Sequence, residues 1–397
     1  MVSVKEALEQ VISAVRLRPV ISLLLEDSMG MVLAEDVFAD RDFPPFDRVC
    51  MDGVCIHSDS LKSGQTEFHL AGMAAAGMPQ IESQGRNKAI EVMTGAILPK
   101  GYDIVIPVEE IEINDDLVLL NRTDWKSGVN IHKQGRDRRQ GDLLISSGKK
   151  IGAPEIGVMA TVGLSSVKVY KPFNIAIVST GDELVPIEQQ PAAYQIRSSN
   201  SVQLASVLKA KGHQVDCFHI NDDQQVLEEK LGEILSTFDM LILSGGVSKG
   251  KLDFVPAALE QLNVEKLFHR VAQKPGKPFW FGMKDECIPV FAFPGNPVSS
   301  FLCLHKYVLP YIKKSMGQEL YAIEYASLDE HFSFKKPLTY FPTVELYHKE
   351  GTLRARLKPG QGSGDLSNLM ENNAFIELDA SINEVEKDTF LPVFRYR

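Results

Sequence analysis

Cysteine is scarce in this chain. The five thiols, at Cys50, Cys55, Cys217, Cys287 and Cys303, form no CxxC pair and no zinc-type spacing. Reduced thiols in a cytoplasmic protein are the simple reading. Long apolar runs are missing too. None approaches the roughly 18 residues of a membrane span, and Met1 to Leu17 lacks the apolar stretch of a secretory leader. Positive charge is in deficit, with 42 Lys+Arg against 52 Asp+Glu and a net charge of -10. That balance argues against a general nucleic-acid binder and against a protein held on an anionic membrane by bulk charge. Two catalytic signatures are also absent: HExxH, and a GxGxxG after the first buried strand. The nine histidines are scattered, and His213 and His219 read as structural.

What is present is an ordinary folded composition, 44% hydrophobic and 24% charged. A chain of 397 residues exceeds one core, so several domains are expected. Val4, Leu8, Val11, Ile12 and Val15 recur at helical spacing, predicting an amphipathic opening helix that closes at Arg18-Pro19. Phe43-Pro-Pro-Phe46 should be extended and rigid. From Val54 to Leu144, short apolar runs alternate with Gly and Pro, predicting a β-rich lobe with a hairpin turn at Asp115-Asp116.

The pattern changes after Lys171-Pro172. Asn174–Val178, His213–Ile220, Asp239–Leu243 and Pro289–Phe293 read as strands alternating with helices from about Ser199, Gln224 and Val298. This predicts a doubly wound parallel sheet, whose ligands sit at the carboxyl ends of its strands. After Gly317 the pattern returns to β, predicting a small C-terminal barrel or sandwich.

Candidate chemistry lies at those strand ends. Asp182-Glu183, Asp222-Asp223 and Asp253 are oxygen donors suited to Mg²⁺, although each alone also suits a helix cap or a solvated loop. Ser244-Gly-Gly-Val-Ser-Lys-Gly-Lys251 nearly fits a P-loop, but Leu252 stands where a magnesium-binding hydroxyl belongs. Its backbone amides still suit an anion. Gln273-Lys-Pro-Gly-Lys-Pro278 holds Lys274 and Lys277 on a stiff loop, as an oxyanion site requires. Pro294-Gly-Asn-Pro297 feeds a helix N-terminus, and Gly362-Ser-Gly364 adds amides and a hydroxyl. Residue pattern alone therefore points to an enzyme acting on an anionic ligand with Mg²⁺, without naming the substrate.

The motifs then become specific together. Pro44-Pro-Phe-Asp-Arg-Val-Cys-Met-Asp-Gly53, Met93-Thr-Gly95, Ser179-Thr-Gly-Asp-Glu-Leu184, Ser244-Gly-Gly-Val-Ser248 with Asp253, Lys274-Pro-Gly-Lys-Pro278 and Pro294-Gly-Asn-Pro-Val298 occur in this order. The series resembles the molybdopterin molybdenumtransferases, the MoeA and gephyrin E-domain family, over essentially the whole chain. The resemblance implies an α/β multidomain protein. Residues 1–44 with 142–170 would form a linking domain, 45–141 an inserted β-rich lobe, 171–318 the parallel-sheet domain, and 319–397 a C-terminal β-barrel. It implies insertion of molybdenum from molybdate into adenylylated molybdopterin with release of AMP, dependent on Mg²⁺. Catalytic positions carried over are Asp52, Thr94, Asp137, Glu183, Asp222 and Asp253, with Glu183, Asp222 and Asp253 on the metal. Substrate positions are Gly245, Gly246, Ser248, Lys274, Lys277, Pro294, Asn296, Pro297 and Ser363. A cytoplasmic homodimer is implied, with the site between the sheet domain of one subunit and the N-terminal lobes of the other, and no nucleic-acid or membrane partner.

Five departures from the family pattern stand out: Val54 where the family usually has Tyr, His132 and Arg136 in the segment before Asp137, Arg197 where the family has Tyr, and Thr343 where an Arg is usual. Arg354 and Arg356 are the nearby arginines that would compensate for the last. Two other readings compete: a non-catalytic scaffold of the same fold, and a molybdopterin adenylyltransferase. The first has no need of Asp52, Glu183, Asp253 and both loop lysines. The second resembles the sheet domain alone.

Overall fold

A computed structural model describes residues 1–247, 254–320, 323–334 and 337–397. The chain forms two compact units. The first comprises Met1–Ala34, Ser147–Gly152 and Ser166–Arg397, the second Glu35–Ser146 and Ala153–Ser165.

The first unit is built on a six-stranded sheet. Its order is Gln214–Ile220, Asn174–Thr180, Met240–Ser244, Ile288–Phe293, Trp280–Lys284, Val264–His269. The first four strands are parallel. The last two run antiparallel and were not legible as strands in the sequence. Period-2 alternation divides the buried Asn174–Thr180 strand between two cores. Ile175 and Ile177 face Leu204, Leu208, Leu302 and Tyr307, while Ala176 and Val178 face Leu227, Leu231 and Leu259. The first core is rich in rings. Phe281 and Phe291 stack at 4.8 Å, and Phe279 lies 4.7 Å from Tyr307. Each fully buried aromatic of this kind contributes about 2–3 kcal/mol from burial alone.

The opening helix, Val4–Ser13, carries a Ser3–Glu6 capping box and buries Val4, Ala7 and Val11 in that same core. It ends earlier than the apolar spacing predicts. Ser13 Oγ donates to the Glu9 and Gln10 carbonyls at 2.5 and 3.3 Å, a local bond that competes with helix propagation. The predicted helix after residue 297 is interrupted. Pro297–Cys303 and Leu309–Ser315 are α-helical, and Leu304–Val308 between them is a π-turn. Pro310 has no N–H to continue the α-helical ladder there. C-terminally, Glu324–Leu328, Thr352–Leu357, Thr343–Lys349, Ala374–Ile376 and Phe390–Arg395 close into a barrel. Ala326, Val344, Leu346, Ala355, Ile376 and Val393 fill it.

The second unit holds another six-stranded sheet, in the order Ile104–Pro107, Gly53–Ile56, Lys88–Val92, Glu67–Ala74, Leu117–Leu120, Ile111–Asn114. The last two strands form the predicted hairpin, with Asp115 at a φ of 55° in its turn. No described helix is long and apolar enough to cross a membrane, and all five cysteines are unpaired.

Candidate functional site

In the first unit the strand order reverses between Asn174–Thr180 and Met240–Ser244, because the chain steps outward on either side of that pair. Two loops therefore diverge at their carboxyl ends and leave a crevice, the position where open α/β sheets bind ligands. A cavity of about 460 Å³ lies there. Glu183, Asp222, Gly245, Gly246, Pro294, Asn296 and Pro297, all expected from the sequence, line it.

Glycine is required in both loops. Gly245 has a φ of 107°, and a Cβ there would stand 2.7 Å from the Thr180 carbonyl oxygen. Gly181 has a φ of 137°, and its Cβ would meet Glu183 Oε2 at 2.5 Å. The carboxylate of Glu183 thus lies where a side chain at 181 would be. The other acids divide their work. Asp223 caps the following helix by accepting from the Val226 N–H at 2.9 Å, and Asp182 accepts from the Asp222 N–H at 3.1 Å. Glu183 and Asp222 line the cavity.

These donors fit a hard cation. Among the described residues no three acidic, His or Cys side chains gather tightly enough to cage a metal by themselves. One or two carboxylates with water and phosphate oxygens is the usual Mg²⁺ arrangement. The buried Thr180 Oγ1, without a hydrogen-bond partner among the described residues, sits beside the same loop, 2.9 Å from where a Gly245 Cβ would be. Ser248 and Asp253 lie outside the described residues.

A second cavity of about 510 Å³ adjoins the first through shared Pro278, Pro294 and Asn296. Lys274, Lys277 and Ser363 line it. Lys274 is held by backbone from two elements. Gln273–Lys274 pairs in parallel with Thr339–Tyr340, and the Phe341 N–H donates to the Lys274 carbonyl at 2.8 Å. Its ammonium lies 5.1 Å from the Tyr340 ring and 5.3 Å from Phe334, a cation–π setting contributing about 0.5–1 kcal/mol. Beneath the loop, buried Gln273 donates to the Gly276 carbonyl at 3.3 Å and accepts from Tyr307 Oη. The helix N-terminus at Pro297 is not a free anion site. Pro297 has no N–H, and the Val298 N–H donates to the Ser363 carbonyl at 3.1 Å, which fastens the Ser363 loop to the Pro294–Pro297 turn.

Asp52, Thr94 and Asp137 belong to the second unit. Asp52 accepts from the Thr94 N–H at 2.6 Å and from Thr94 Oγ1 at 2.9 Å. The backbone bond, then the hydroxyl, holds the Asp52 carboxyl below its ordinary range. The paired strands Arg48–Val49 and Ile131–His132 set Arg48 beside His132. His132 Nε2 is 2.9 Å from Asp137 Oδ1 and its Nδ1 is 3.2 Å from Arg48 Nη2. His132 therefore occupies its departure position as an orienter of Asp137.

The remaining departures resolve in different ways. Arg197 lines the first cavity, its guanidinium donating to the Gln189 carbonyl at 3.1 Å. Thr343 lines the second and donates to the Lys358 carbonyl at 3.2 Å. Neither Arg354 nor Arg356 compensates for it. Arg354 is bound to Asp329 and Asp388, each at 2.7 Å, Arg356 faces Asp329 and Glu345, and neither lines a cavity of this site. Sequence reasoning missed Asn200, whose Nδ2 donates to Ser244 Oγ at 2.9 Å and to the Gly295 carbonyl at 2.7 Å. It also missed Tyr340 and Asn368 in the second cavity. Asn200 carries a signal, an amide in the first turn of the helix expected from about Ser199. Tyr340 carries none, because its strand is two residues long.

A crevice at the switch point of a doubly wound sheet, acidic on one side and lysine-bearing on the other, with a barrel attached, defines an α/β protein built to bind an anionic small molecule. Residues 2–163 match the MoeA N-terminal region, domains I and II, and residues 176–314 match the probable molybdopterin binding domain. The chain belongs to the MoeA family. It is 40% identical over 358 residues to a molybdopterin molybdenumtransferase from Synechocystis, covering 89% of each chain. A molybdopterin molybdenumtransferase from Haemophilus influenzae is 30% identical, over 90% of this chain and 89% of its own. The crystal structure of the molybdopterin biosynthesis MoeA protein from Pyrococcus horikosii superposes with a TM-score of 0.86 at 26% identity, covering 100% of this chain and 99% of that one.

Proposed function

We propose that this protein is a molybdopterin molybdenumtransferase, which inserts molybdenum from molybdate into adenylylated molybdopterin and releases AMP in the last step of molybdenum cofactor biosynthesis. The observation that carries the reading is the pair of adjoining cavities. One presents carboxylates and glycine loops, the other fixed ammonium groups, and the two share the Pro294–Asn296 wall. A substrate with a pyrophosphate at one end and a dithiolene at the other needs those two chemistries side by side.

Glu183 and Asp222, with Asp253, would hold Mg²⁺, which neutralises charge on the pyrophosphate when bound. Gly245, Gly246 and Ser248 bring backbone and a hydroxyl close to the phosphates. Lys274 and Lys277 bind molybdate as point charges on a stiff loop, and Ser363, Pro294 and Pro297 hold the pterin side. Asp52, Thr94 and Asp137 complete the machinery from the N-terminal lobe of a second subunit in a homodimer. On this reading the two units comprise four modules, with boundaries near residues 45, 142, 171 and 319.

The test incubates the protein with adenylylated molybdopterin, Mg²⁺ and molybdate, reading AMP release and active cofactor. AMP no higher than from Glu183→Ala overturns the assignment. Subunit sharing has its own test. Equal amounts of Asp52→Ala and Glu183→Ala, each inactive alone, should on subunit exchange regain about a quarter of wild-type activity, since half the dimers then carry one intact site of two. No recovery places each site within one subunit.

A further inference from the structure

At the opposite end of the same sheet, before the strands that begin at Asn174 and Gln214, lies a third cavity of about 460 Å³. Met29, Met31, Val32, Leu309, Ile312 and Met316 give it an apolar floor. Lys150, Lys209, Lys211 and Lys313 line it, and no acidic residue does. Among the described residues no carboxylate lies within ion-pair distance of Lys150, Lys209 or Lys211. In a chain of net charge -10, acids to neutralise such a cluster are plentiful, yet among the described residues none is supplied to Lys150, Lys209 or Lys211. The like charges act on each other. Burial, then Lys150, lowers the Lys211 pKa, and burial, then Lys211, lowers that of Lys313. Such repulsion is relieved by an anion from outside the chain.

His213 adds a neutral donor. It is 8% exposed and lines the cavity. Its Nδ1 accepts from the Phe173 N–H at 3.3 Å, so the ring proton resides on Nε2. That nitrogen has no partner among the described residues. Burial, reinforced by Arg18, Lys211 and Lys150, brings the His213 pKa down to about 4 and keeps the ring neutral.

We propose that this cavity binds a small organic phosphate monoester, its phosphate on the lysines and the His213 Nε2–H, its flat body on the methionine floor. Several ammonium groups suit a dianion better than a monoanionic carboxylate. The volume exceeds that of a bare inorganic anion and falls in the range of small-molecule sites, and thioethers pack well on rings. The site is separate from the two cavities of the proposed reaction and does not depend on that reading.

Pyridoxal 5′-phosphate tests it on the full chain. An unprotonated lysine nitrogen adds to the aldehyde carbon, water leaves, and borohydride delivers hydride to the imine carbon, giving a stable amine that peptide masses locate. Lys211 or a cavity neighbour should be labelled about tenfold faster by pyridoxal 5′-phosphate than by pyridoxal, while exposed Lys5 and Lys349 react alike with both. AMP should protect the cavity lysines at lower concentration than inorganic phosphate. Lys150→Glu should abolish the phosphate preference at Lys211 without changing the melting temperature. Equal rates with both aldehydes overturn the anion site, and equal protection by AMP and inorganic phosphate overturns the organic ligand. Peptides bearing Lys274 and Lys277 are scored apart, so loss of molybdenum insertion leaves this result standing.

Discussion

At the scale of single residues, the candidate acids are set by their immediate donors rather than by deep burial. Asp52 owes its lowered pKa first to the Thr94 backbone N–H and second to the Thr94 hydroxyl. A depressed folded pKa means the carboxylate persists as pH falls, until the folded value is reached. Thr94→Val removes only the lesser bond, so the acid limb of the kcat/KM profile should move to higher pH by well under one unit. A limb that does not move, or moves down, removes Asp52 from the proposed chemistry. His132→Ala should lower kcat more than it raises KM, because it frees Asp137 without touching a substrate-binding lysine; His132→Gln, which still donates, should restore part of the loss. How far the sequence spoke differs residue by residue. Glu183 was legible because an acidic pair, Asp182-Glu183, closes the Ser179-Thr-Gly181 turn after an apolar run. The capping role of Asp223 and the clamp of His132 between Arg48 and Asp137 were not, since each depends on a side-chain direction that spacing does not encode.

At the scale of elements, the site is a consequence of two loops leaving neighbouring parallel strands. Those strands were readable from sequence because both faces are covered, making them near-continuous apolar runs. The antiparallel pair Val264–His269 and Trp280–Lys284 was not. Glu265, Lys266 and Lys284 interrupt its apolar pattern at the edge of the sheet. The Gln273–Lys274 pairing with Thr339–Tyr340 was equally hidden, because a two-residue bridge across some 65 positions carries no periodicity. The glycine loops give the prediction at this scale. Gly245→Ala forces a non-glycine φ of 107° and a Cβ 2.7 Å from the Thr180 carbonyl oxygen. It should cost about 1–3 kcal/mol in urea unfolding, with activity falling further than stability explains.

At the scale of the whole molecule, stability should depend on pH through two buried neutral histidines of the first unit. Burial lowers both His213 and His305 from 6.5 to about 4. Between those values the unfolded chain takes up protons that the folded chain refuses, so stability declines as pH falls from about 6.5 and levels off near 4. The slope reaches at most about 1.4 kcal/mol per pH unit for each residue. His305 lies between Phe301 and Tyr396, with no hydrogen-bond partner at Nε2 among the described residues. His305→Phe should therefore remove about half of that slope, measured as urea stability across this range; an unchanged slope assigns it to other groups.

The opening helix gives the molecule an order of assembly. Its apolar residues Val4, Ala7 and Val11 share a core with Leu309, Tyr311 and Ile312, and the Val2 N–H donates to the Arg270 carbonyl at 3.0 Å. A ribosome adding 5–20 residues per second needs roughly 15–60 s to travel from the first of these partners to the last. For that interval the helix stripe lacks these partners, and a segment made well before them is among the last to be buried.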